Sequence, residues 1–419
     1  MKILVLGSGA REHAIIDALL QESEDHEIIA APGNAGISEA VPTVALDPND
    51  PAAVTEYASR NNFELVIIGP EAPLVAGVAD PLRTRGIPVF GPGRAAAQLE
   101  GSKAFAKRIM SAAGVPTAGA VRAATLSETE KALDDFGAPY VVKADGLAAG
   151  KGVLVTSDRE AAIDHALYWL EHGTVLIEEH LAGPEISLFL LSDGHNVLPL
   201  APAQDYKRLG DGDEGPNTGG MGAYSPLTWL PDGFVDEVVE TVALPTVRLL
   251  AAEQTPFIGL LYCGLILTPN GIRVIEFNAR FGDPETQVVL PRLITPLSGL
   301  LLAAATGSLA GHARPEFALD VAVTVVIASE GYPEAPITGR PITGLDDAAR
   351  VEGVSIEHAG TAFDEEGRLV SAGGRVLDVV AVGTTFAAAR RKAYEAIRKI
   401  HLEGAQYRSD IAERVADAI

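Results

Sequence analysis

Two lysines flank a glycine-rich segment near the middle of the chain. Lys143 ends an apolar run that is typical of a strand, and Lys151 stands between Gly150 and Gly152. A lysine that leaves a strand can reach phosphate oxygens as a point charge, while glycine amides cover a terminal phosphate. The segment is not a P-loop, because Gly152 replaces the serine or threonine that should follow the lysine. It predicts a phosphate clamp, with an ordinary glycine hairpin as the alternative.

Glu276, Asn278 and Arg280 alternate along a segment with the pattern of a strand. Side chains two residues apart lie on one face of a strand, so all three polar groups should point the same way. Carboxylate and amide oxygens suit a Mg²⁺ ion that bridges phosphates, and a guanidinium neutralises a carboxylate or acyl-phosphate oxygen. The pattern predicts a metal site beside an anion site, with a ligand-free polar strand face as the alternative.

A second glycine-rich segment begins at Asp205 and runs to Gly222. Consecutive amides at Gly219 and Gly220, before Met221, can form a nest for an anion, and Asp205 is suited to a substrate ammonium group. A long surface loop is the alternative.

Glu178, Glu179, His180 and Leu181 follow an apolar strand, and Glu185 begins the next one. Such a strand edge offers backbone groups to a purine and a carboxylate to ribose hydroxyls, although the pattern alone fits a surface turn equally well. The histidines show no metal-binding spacing, so zinc hydrolysis is not supported.

The N-terminal segment from Gly7 to Glu12 brings amides around Gly9 to the start of a helix, where a phosphate can bind. A dinucleotide is disfavoured, because Glu12 replaces the third glycine of GxGxxG and the second strand ends without an acidic residue. The alternatives are a phosphate or substrate contact and a plain βα turn. Loops 32–36 and 69–73, the latter with Glu71, leave strand ends of the same sheet and are predicted to share one pocket with it.

These motifs require a scaffold of several domains. Residues 1–101 alternate strands (3–6, 27–31, 65–68) with helices (11–20, 50–60, 75–85), which predicts a doubly wound α/β domain with a parallel sheet. Residues 102–186 predict a small α+β domain, with a capping box at Ser127 and Glu130 and an antiparallel hairpin formed by 140–143 and 152–155. Residues 187–315 form a larger α+β unit with a strand pair in 260–278. Residues 316–419 form a small β-rich domain with a strand at 321–328 and a helix at 385–401.

Composition limits the partners. The formal net charge is −24, which disfavours nucleic acids and anionic membranes because both are polyanions. The single cysteine, Cys263, lies in an apolar run and is predicted to be a buried strand thiol, as expected in a reducing compartment. With no signal peptide and no apolar stretch near 18 residues, we expect a cytoplasmic protein.

Taken together, the motifs resemble the ATP-grasp superfamily, and within it the phosphoribosylamine–glycine ligase family. The resemblance covers essentially the whole chain. It rests on segments 6–14, 69–74, 99–107, 143–153, 215–226 and 276–285.

The resemblance implies an ATP-grasp fold of four domains, with ATP bound between two sheets. It also implies that lysines contact the phosphates, that residues 178–181 hold adenine, that Glu185 binds ribose and that Glu276 and Asn278 bind Mg²⁺ or Mn²⁺. The phosphate contacts are expected at Lys103, Lys143, Lys151, Gly150 and Gly152, and the substrate contacts at Gly9, Glu71, Asp205, Gly219, Gly220, Met221 and Arg280. Of these, Arg280, Lys143 and Lys151 are expected to be catalytic.

The implied reaction is the ATP-dependent ligation of glycine to 5-phosphoribosylamine through glycyl phosphate, the second step of purine synthesis. A monomer is expected, with a weak dimer as the alternative. The chain departs from the family pattern at Tyr206, where a histidine is usual, and residues 259–268 lack a second metal carboxylate. Two other readings remain: an ATP-grasp enzyme that uses formate or bicarbonate, and a nucleotide sensor without turnover.

Overall fold

The structure is a computed structural model that describes residues 1–146 and 152–417. Its N-terminal unit has a parallel sheet in the order β2-β1-β3-β4. Because β2 and β3 lie on opposite sides of β1, the sheet has the strand reversal at which open α/β sheets place their ligands. The strands are β1 (Lys2–Gly7), β2 (Glu27–Pro32), β3 (Leu65–Ile68) and β4 (Val89–Phe90), and the helices are α1 (Ala10–Leu20), α2 (Ala35–Ala40), α3 (Pro51–Arg60), α4 (Glu71–Ala76), α5 (Ala79–Thr84) and α6 (Arg94–Gly101).

The helix predicted over 75–85 is wrong in its extent. Gly77 adopts the left-handed conformation with φ of 82° and ends α4, and α5 begins at Ala79. Glycine takes this conformation without steric cost, so the chain turns there instead of continuing one helix.

The second unit is a small antiparallel sheet in the order β5-β8-β6-β7, with two helices packed on it. The predicted hairpin of two strands is confirmed as β6 and β7. Its elements are α7 (Lys103–Ala113), β5 (Ala120–Ala123), α8 (Leu126–Phe136), β6 (Tyr140–Ala144), β7 (Val153–Thr156), α9 (Arg159–Leu170) and β8 (Val175–Glu178).

The capping box of α8 lies two residues before its predicted position. Thr125 is the N-cap residue, its side chain accepts from Glu128 N, and the Glu128 side chain returns to the Thr125 N–H. The sequence contains both spacings, and the box at Ser127 and Glu130 was the wrong choice. With Thr125 as its N-cap residue, α8 begins at Leu126, and its buried residues include Thr129 and Leu133.

The third unit is built on the antiparallel sheet β10-β9-β15-β16. The predicted strand pair in 260–278 is confirmed as β15 and β16, and Cys263 is buried in β15 as predicted. The elements are β9 (Glu185–Asp193), β10 (Val197–Pro199), β11 (Gln204–Asp205), β12 (Arg208–Gly210), β13 (Glu214–Asn217), β14 (Gly222–Ser225), α10 (Phe234–Val238), α11 (Leu244–Ala252), β15 (Ile258–Thr268), β16 (Gly271–Asn278), α12 (Thr286–Val289) and α13 (Leu297–Ala305).

The C-terminal unit is a five-stranded sheet in the order β11-β14-β17-β22-β19. Two of these strands, β11 and β14, come from the segment that the sequence analysis groups with 187–315, so the chain crosses between units there. The domain boundaries stay a prediction. The remaining elements are β17 (Val321–Ala328), β18 (Ile342–Thr343), α14 (Leu345–Ala349), β19 (Val354–His358), β20 (Thr361–Phe363), β21 (Leu369–Ser371), β22 (Arg375–Gly383), α15 (Phe386–Ile397), β23 (His401–Leu402) and α16 (Glu413–Ala416).

The N-terminal and C-terminal units meet where α1 packs on β19. His13 Nδ1 accepts a hydrogen bond from His358 N at 2.8 Å, and Asn34 Nδ2 donates to the His358 carbonyl at 2.5 Å. The buried carboxyl group of Glu357 and the half-buried carboxyl group of Asp17 lie beside the His13 ring. The C-terminal unit therefore closes back onto the first sheet. In residues 1–146 and 152–417, no helix is long and apolar enough to span a bilayer.

Candidate active site

All four units contribute to one cavity of about 1380 Å³. It lies between the small antiparallel sheet and the β9–β15–β16 face, with the N-terminal helices at one side and the C-terminal segment at the other. Fourteen of the predicted site residues line it, counted among the described residues: Glu71, Lys103, Lys143, Gly152, Glu178, Glu179, His180, Leu181, Glu185, Asp205, Gly219, Glu276, Asn278 and Arg280.

Glu178 holds two lysines at the cavity wall. Its Oε2 lies 2.8 Å from Lys143 Nζ and 3.3 Å from Lys107 Nζ. Burial lowers the pKa of Lys107, and the Glu178 carboxylate acts in the opposite direction. The carboxylate of Glu178 is thus occupied by lysines, which leaves the edge at His180 and Leu181 for the predicted contact with a purine.

Lys103 lies beside the start of the glycine-rich segment. Its ammonium donates to the Gly146 carbonyl at 3.3 Å. The preceding residue, Ser102, caps α7 and donates through Oγ to Asp145 Oδ1 at 3.1 Å. The first turn of α7 is therefore tied to the strand end that carries Lys143.

The structure describes only part of the glycine-rich segment of the predicted phosphate clamp. Gly152 lines the cavity, and its carbonyl accepts from Ala144 N at 2.7 Å. Gly150 and Lys151 lie outside the described residues, so their predicted contacts stay a prediction.

Glu276 and Asn278 reach the cavity from β16, two residues apart on one strand as predicted. No lysine, arginine or histidine among the described residues lies within 4.0 Å of the Glu276 carboxylate. Burial acts to raise the pKa of Glu276, but Lys207, Lys143, Lys103 and Arg280 together lower it. An ionised carboxylate without an ion-pair partner, next to an amide oxygen, is a donor set that fits Mg²⁺ or Mn²⁺.

Arg280 follows β16 and lies between two carboxylates. Its Nη2 is 3.1 Å from Glu100 Oε1, and its Nε is 3.4 Å from Glu71 Oε2 without a well-aligned hydrogen bond. Burial raises the pKa of the more enclosed Glu100 despite Arg280, whereas the pKa of Glu71 is lowered because Arg280 and Arg11 outweigh its burial. Among the described residues, Arg280 Nε is therefore a buried donor without a hydrogen-bond partner.

Asp205 and Lys207 form a second charged group with Glu185. Lys207 Nζ lies 2.6 Å from Glu185 Oε2, so the carboxylate predicted to bind ribose is here paired with a lysine. Burial raises the pKa of Asp205 to about 7, with Glu285 and Glu185 adding to the rise and Lys207 opposing it.

Tyr206 is the residue that departs from the family pattern. It contacts the C-terminal segment of the chain. Its hydroxyl accepts from Ala412 N at 3.0 Å, and the Arg408 guanidinium lies 4.8 Å from its ring centroid. The phenol therefore joins two segments of the chain.

Three predicted substrate contacts do not line the cavity. Met221 is fully buried, and its backbone is hydrogen-bonded to Tyr206 and Val326. Gly220 packs so closely on Pro284 that a Cβ would lie 2.4 Å from the ring. The Gly9 N–H already donates a hydrogen bond to Glu12 Oε2 at 2.6 Å, so it is not free to bind a substrate.

Glu12 also explains why the three N-terminal loops do not share one pocket. Its side chain fills the crevice between Gly7 and Gly69, where a Cβ on either glycine would collide with it. Loop 32–36 is held on the C-terminal unit through Asn34. Among residues 7–12, 32–36 and 69–73, only Arg11, Pro70 and Glu71 line the cavity.

Several cavity residues had no role assigned from the sequence. Lys107 could have been found, because it lies one helical turn after Lys103 and shares its face. Others are brought in from distant segments and gave no local signal: Glu100, Lys207, Asp283, Glu285, Arg375 and Arg408.

Comparison with known proteins decides which family has this arrangement. Family models of phosphoribosylglycinamide synthetase match its N domain to residues 1–100, its ATP-grasp (A) domain to 101–286 and its C domain to 322–414. A phosphoribosylamine–glycine ligase of Leifsonia xyli is 74% identical over 416 residues, covering 99% of this chain and 100% of the relative. The chain belongs to the phosphoribosylamine–glycine ligase family. The predicted family resemblance is thereby confirmed.

Other members of the phosphoribosylamine–glycine ligase family agree over the full length. The Streptomyces coelicolor protein is 57% identical, with 100% of both chains covered. A crystal structure of the Thermotoga maritima ligase superposes with a TM-score of 0.83 at 36% identity, covering 98% of this chain and 100% of that one. A biotin carboxylase–ATP complex from Campylobacter jejuni, at 16% identity and a TM-score of 0.68, shares the fold alone. The predicted ATP-grasp fold is confirmed.

Proposed function

We propose that this chain ligates glycine to 5-phosphoribosylamine with ATP. A glycine carboxylate oxygen attacks the γ-phosphorus of ATP, and the bond to the β-phosphate oxygen breaks to release ADP. The amine of 5-phosphoribosylamine then attacks the acyl carbon of glycyl phosphate. Phosphate and a proton leave, and glycinamide ribonucleotide remains, as in the second step of purine synthesis.

One observation carries this proposal: a chain that matches the family over its whole length also brings the candidate phosphate, metal and carboxylate groups into one cavity. Both steps need alignment and charge neutralisation more than a protein nucleophile. The full-length matches to phosphoribosylamine–glycine ligases favour the glycine ligase reaction over an enzyme that uses formate or bicarbonate and over a nucleotide sensor.

The nucleotide end of the cavity is assigned to the lysines. We propose that Lys103, Lys143 and Lys151 contact phosphates, with Lys107 beside them, and that the edge at residues 179–181 receives adenine. Glu185 would release its ion pair with Lys207 and accept hydrogen bonds from the ribose hydroxyls instead. Lysines that are already paired in the cavity can move to phosphate at little desolvation cost, because they leave one anion for another.

Glu276 and Asn278 are the proposed ligands of Mg²⁺ or Mn²⁺, which would neutralise charge on the nucleotide phosphates when bound. Arg280 is proposed to bind the glycine carboxylate through its free Nε donor, and Asp205 to bind the ammonium group once its proton has left. A cavity closed by four units would exclude water from glycyl phosphate, which hydrolyses readily.

The ribose phosphate is proposed to bind near Gly219. The Gly9 amide is occupied by Glu12, whereas Gly219 lines the cavity beside Arg375, whose Nη1 donates to the Gly219 carbonyl at 2.8 Å. We further propose a cytoplasmic monomer, in keeping with the buried thiol of Cys263.

The test is phosphate release from Mg-ATP in the presence of glycine and freshly generated 5-phosphoribosylamine, with each omitted in turn. Release that needs all three, with glycinamide ribonucleotide detected by mass, supports the ligase. Release that does not depend on glycine contradicts it. Formate and bicarbonate serve as controls for another acceptor.

A further inference from the structure

The C-terminal segment 408–412 packs on the loop that carries Asp205 and Lys207. Arg408 is the centre of this contact and is only 1% exposed. Its Nε and Nη2 donate to the two carboxylate oxygens of Asp410 at 2.7 and 2.6 Å. Its Nη1 donates to Asp213 Oδ1 at 2.8 Å. One guanidinium therefore binds a carboxylate on each of the two segments.

Backbone groups add to this contact. Ser409 N donates to Asp211 Oδ1 at 2.7 Å, and Gly212 N donates to Asp410 Oδ2 at 2.9 Å. The Arg408 guanidinium also stacks over Tyr206, whose hydroxyl is bound by Ala412 N. The loop is thus held at Tyr206 and again at its tip.

The C-terminal segment has its own anchor on α15. Tyr394 Oη donates to the Arg408 carbonyl at 2.8 Å, and Arg390 Nε donates to the Ile411 carbonyl at 3.0 Å. The loop tip, in contrast, is exposed and contains Asp213 with a φ of 60°, a left-handed conformation that is unfavourable for a non-glycine residue. The anchored segment holds the strained loop, and not the reverse.

Asp205 and Lys207 are the immediate neighbours of Tyr206, and both line the cavity. An anchor on the Tyr206 ring limits the movement of both charged side chains. We propose that Arg408 is a positioning residue: through Tyr206 and Asp213 it holds Asp205 and Lys207 where the amino-acid substrate binds. This inference rests on the proposed function, because it assumes that Asp205 binds the glycine ammonium group.

The test compares Arg408→Met and Asp213→Asn with the unchanged chain in the three-substrate assay. We expect Arg408→Met to raise the KM for glycine at least tenfold and Asp213→Asn at least threefold, while the KM for ATP changes less than twofold. The double variant should be no worse than Arg408→Met, because both changes break the same contact.

A matched control separates positioning from general loss of stability. Arg292 is also a buried arginine, at 5% exposure, but it does not line the cavity and binds the Asp320 carbonyl and Ser225. Arg292→Met should lower the melting temperature without changing the KM for glycine.

Three outcomes would overturn the inference. The first is an unchanged KM for glycine in Arg408→Met and Asp213→Asn, the second is an equal rise in the KM for glycine and the KM for ATP, and the third is a loss of activity confined to kcat. If Arg408→Met does not fold, Asp213→Asn decides, since this side chain is half exposed. An unchanged chain without glycine-dependent turnover would instead overturn the proposed function, and this inference with it.

Discussion

Arg280 is neutralised by Glu71 and Glu100 before any substrate binds. The same holds for Lys143 with Glu178 and Lys207 with Glu185. Each cation is therefore paired inside the cavity with a carboxylate that it can exchange for a substrate anion. A buried cation without such a partner would lose its charge or destabilise the fold.

Replacing Arg280 by lysine tests its proposed contact with glycine. Lysine keeps the charge between Glu71 and Glu100 but loses the Nε donor through which Arg280 is proposed to bind the glycine carboxylate. We expect kcat/KM for glycine to fall on the order of 100-fold, with the KM for ATP nearly unchanged. Initial rates with glycine and ATP varied separately would measure this, and unaltered glycine kinetics would refute the role of Arg280.

Asp205 predicts a pH dependence of glycine binding. Because burial raises its pKa to about 7, the side chain is protonated below that pH and cannot pair with an ammonium group. The KM for glycine should therefore fall as the pH rises from 6 to 8, while the KM for ATP changes little. Asp205→Asn should raise the KM for glycine and remove this pH dependence. A steep dependence that persists in Asp205→Asn would point to another group.

The sequence indicated the candidate site residues better than the contacts that these residues make with one another. Lysines in glycine-rich surroundings and alternate polar residues on a strand are local patterns, so Lys143, Glu276 and Asn278 could be proposed from the residues alone. The contact between Arg408 and Asp213 joins segments nearly 200 positions apart, and no local pattern indicates it. The role of Gly9 stays a prediction, and no local pattern shows that Glu12 folds back on its amide.

Among the elements, hydrophobic periodicity predicted the long strands and helices, and their ends were less certain. Val321–Ala328 is apolar at every position except Thr324 and is buried throughout, so its strand was clear. The split at Gly77 was missed because a glycine inside a helical pattern is tolerated in many proteins. The contact of β15 with the first unit could not be predicted either, since it depends on two backbones approaching closely.

That contact lies at Gly259, near the start of β15. Gly259 has a φ of 137°, and a Cβ there would lie 3.0 Å from the Gly91 Cα atom. Gly259→Ala should cost about 1–3 kcal/mol from its backbone conformation and about 1–3 kcal/mol more from the clash, because backbone atoms cannot move aside as side chains do.

Gly86→Ala is the matched control for this prediction. Gly86 also has a positive φ, of 74°, but a Cβ there meets nothing within 4 Å. Urea unfolding should show the smaller loss for Gly86→Ala and the larger loss for Gly259→Ala. Equal losses would mean that backbone conformation alone, and not the close approach to Gly91, accounts for the effect.

At the scale of the whole molecule, the C-terminal unit packs on the N-terminal unit and is also joined to the middle of the chain and to the cavity. Its sheet includes β11 and β14 from the middle of the chain, and its last segment lines the cavity. The division of the chain into four units stays a prediction from the sequence, and strand exchange between units depends on long-range pairing. The junction of α1 with β19 likewise brings together titratable groups that are distant in sequence.

This junction predicts how stability depends on pH. Burial raises the pKa of Glu357 well above its usual value and that of Asp17 to about 6, and Glu357 Oε2 has no hydrogen-bond partner. Burial also lowers the pKa of His13 to about 3, so no charged imidazole compensates the carboxylates. Above pH 4.5 the folded state therefore holds protons that the unfolded state releases, and stability falls as the pH rises.

Glu357→Gln removes this proton linkage while keeping the shape of the side chain. The difference in free energy of unfolding between Glu357→Gln and the unchanged chain, measured by urea unfolding, should shift in favour of the variant from pH 4.5 to pH 8, with a slope of at most about 1.4 kcal/mol per pH unit. The contribution of His13 has the opposite sign below pH 6.5, but it is common to both proteins and cancels in the difference. Exposed Glu365→Gln controls for the loss of one negative charge. A difference that does not vary with pH would show that Glu357 is an ionised carboxylate in the folded state.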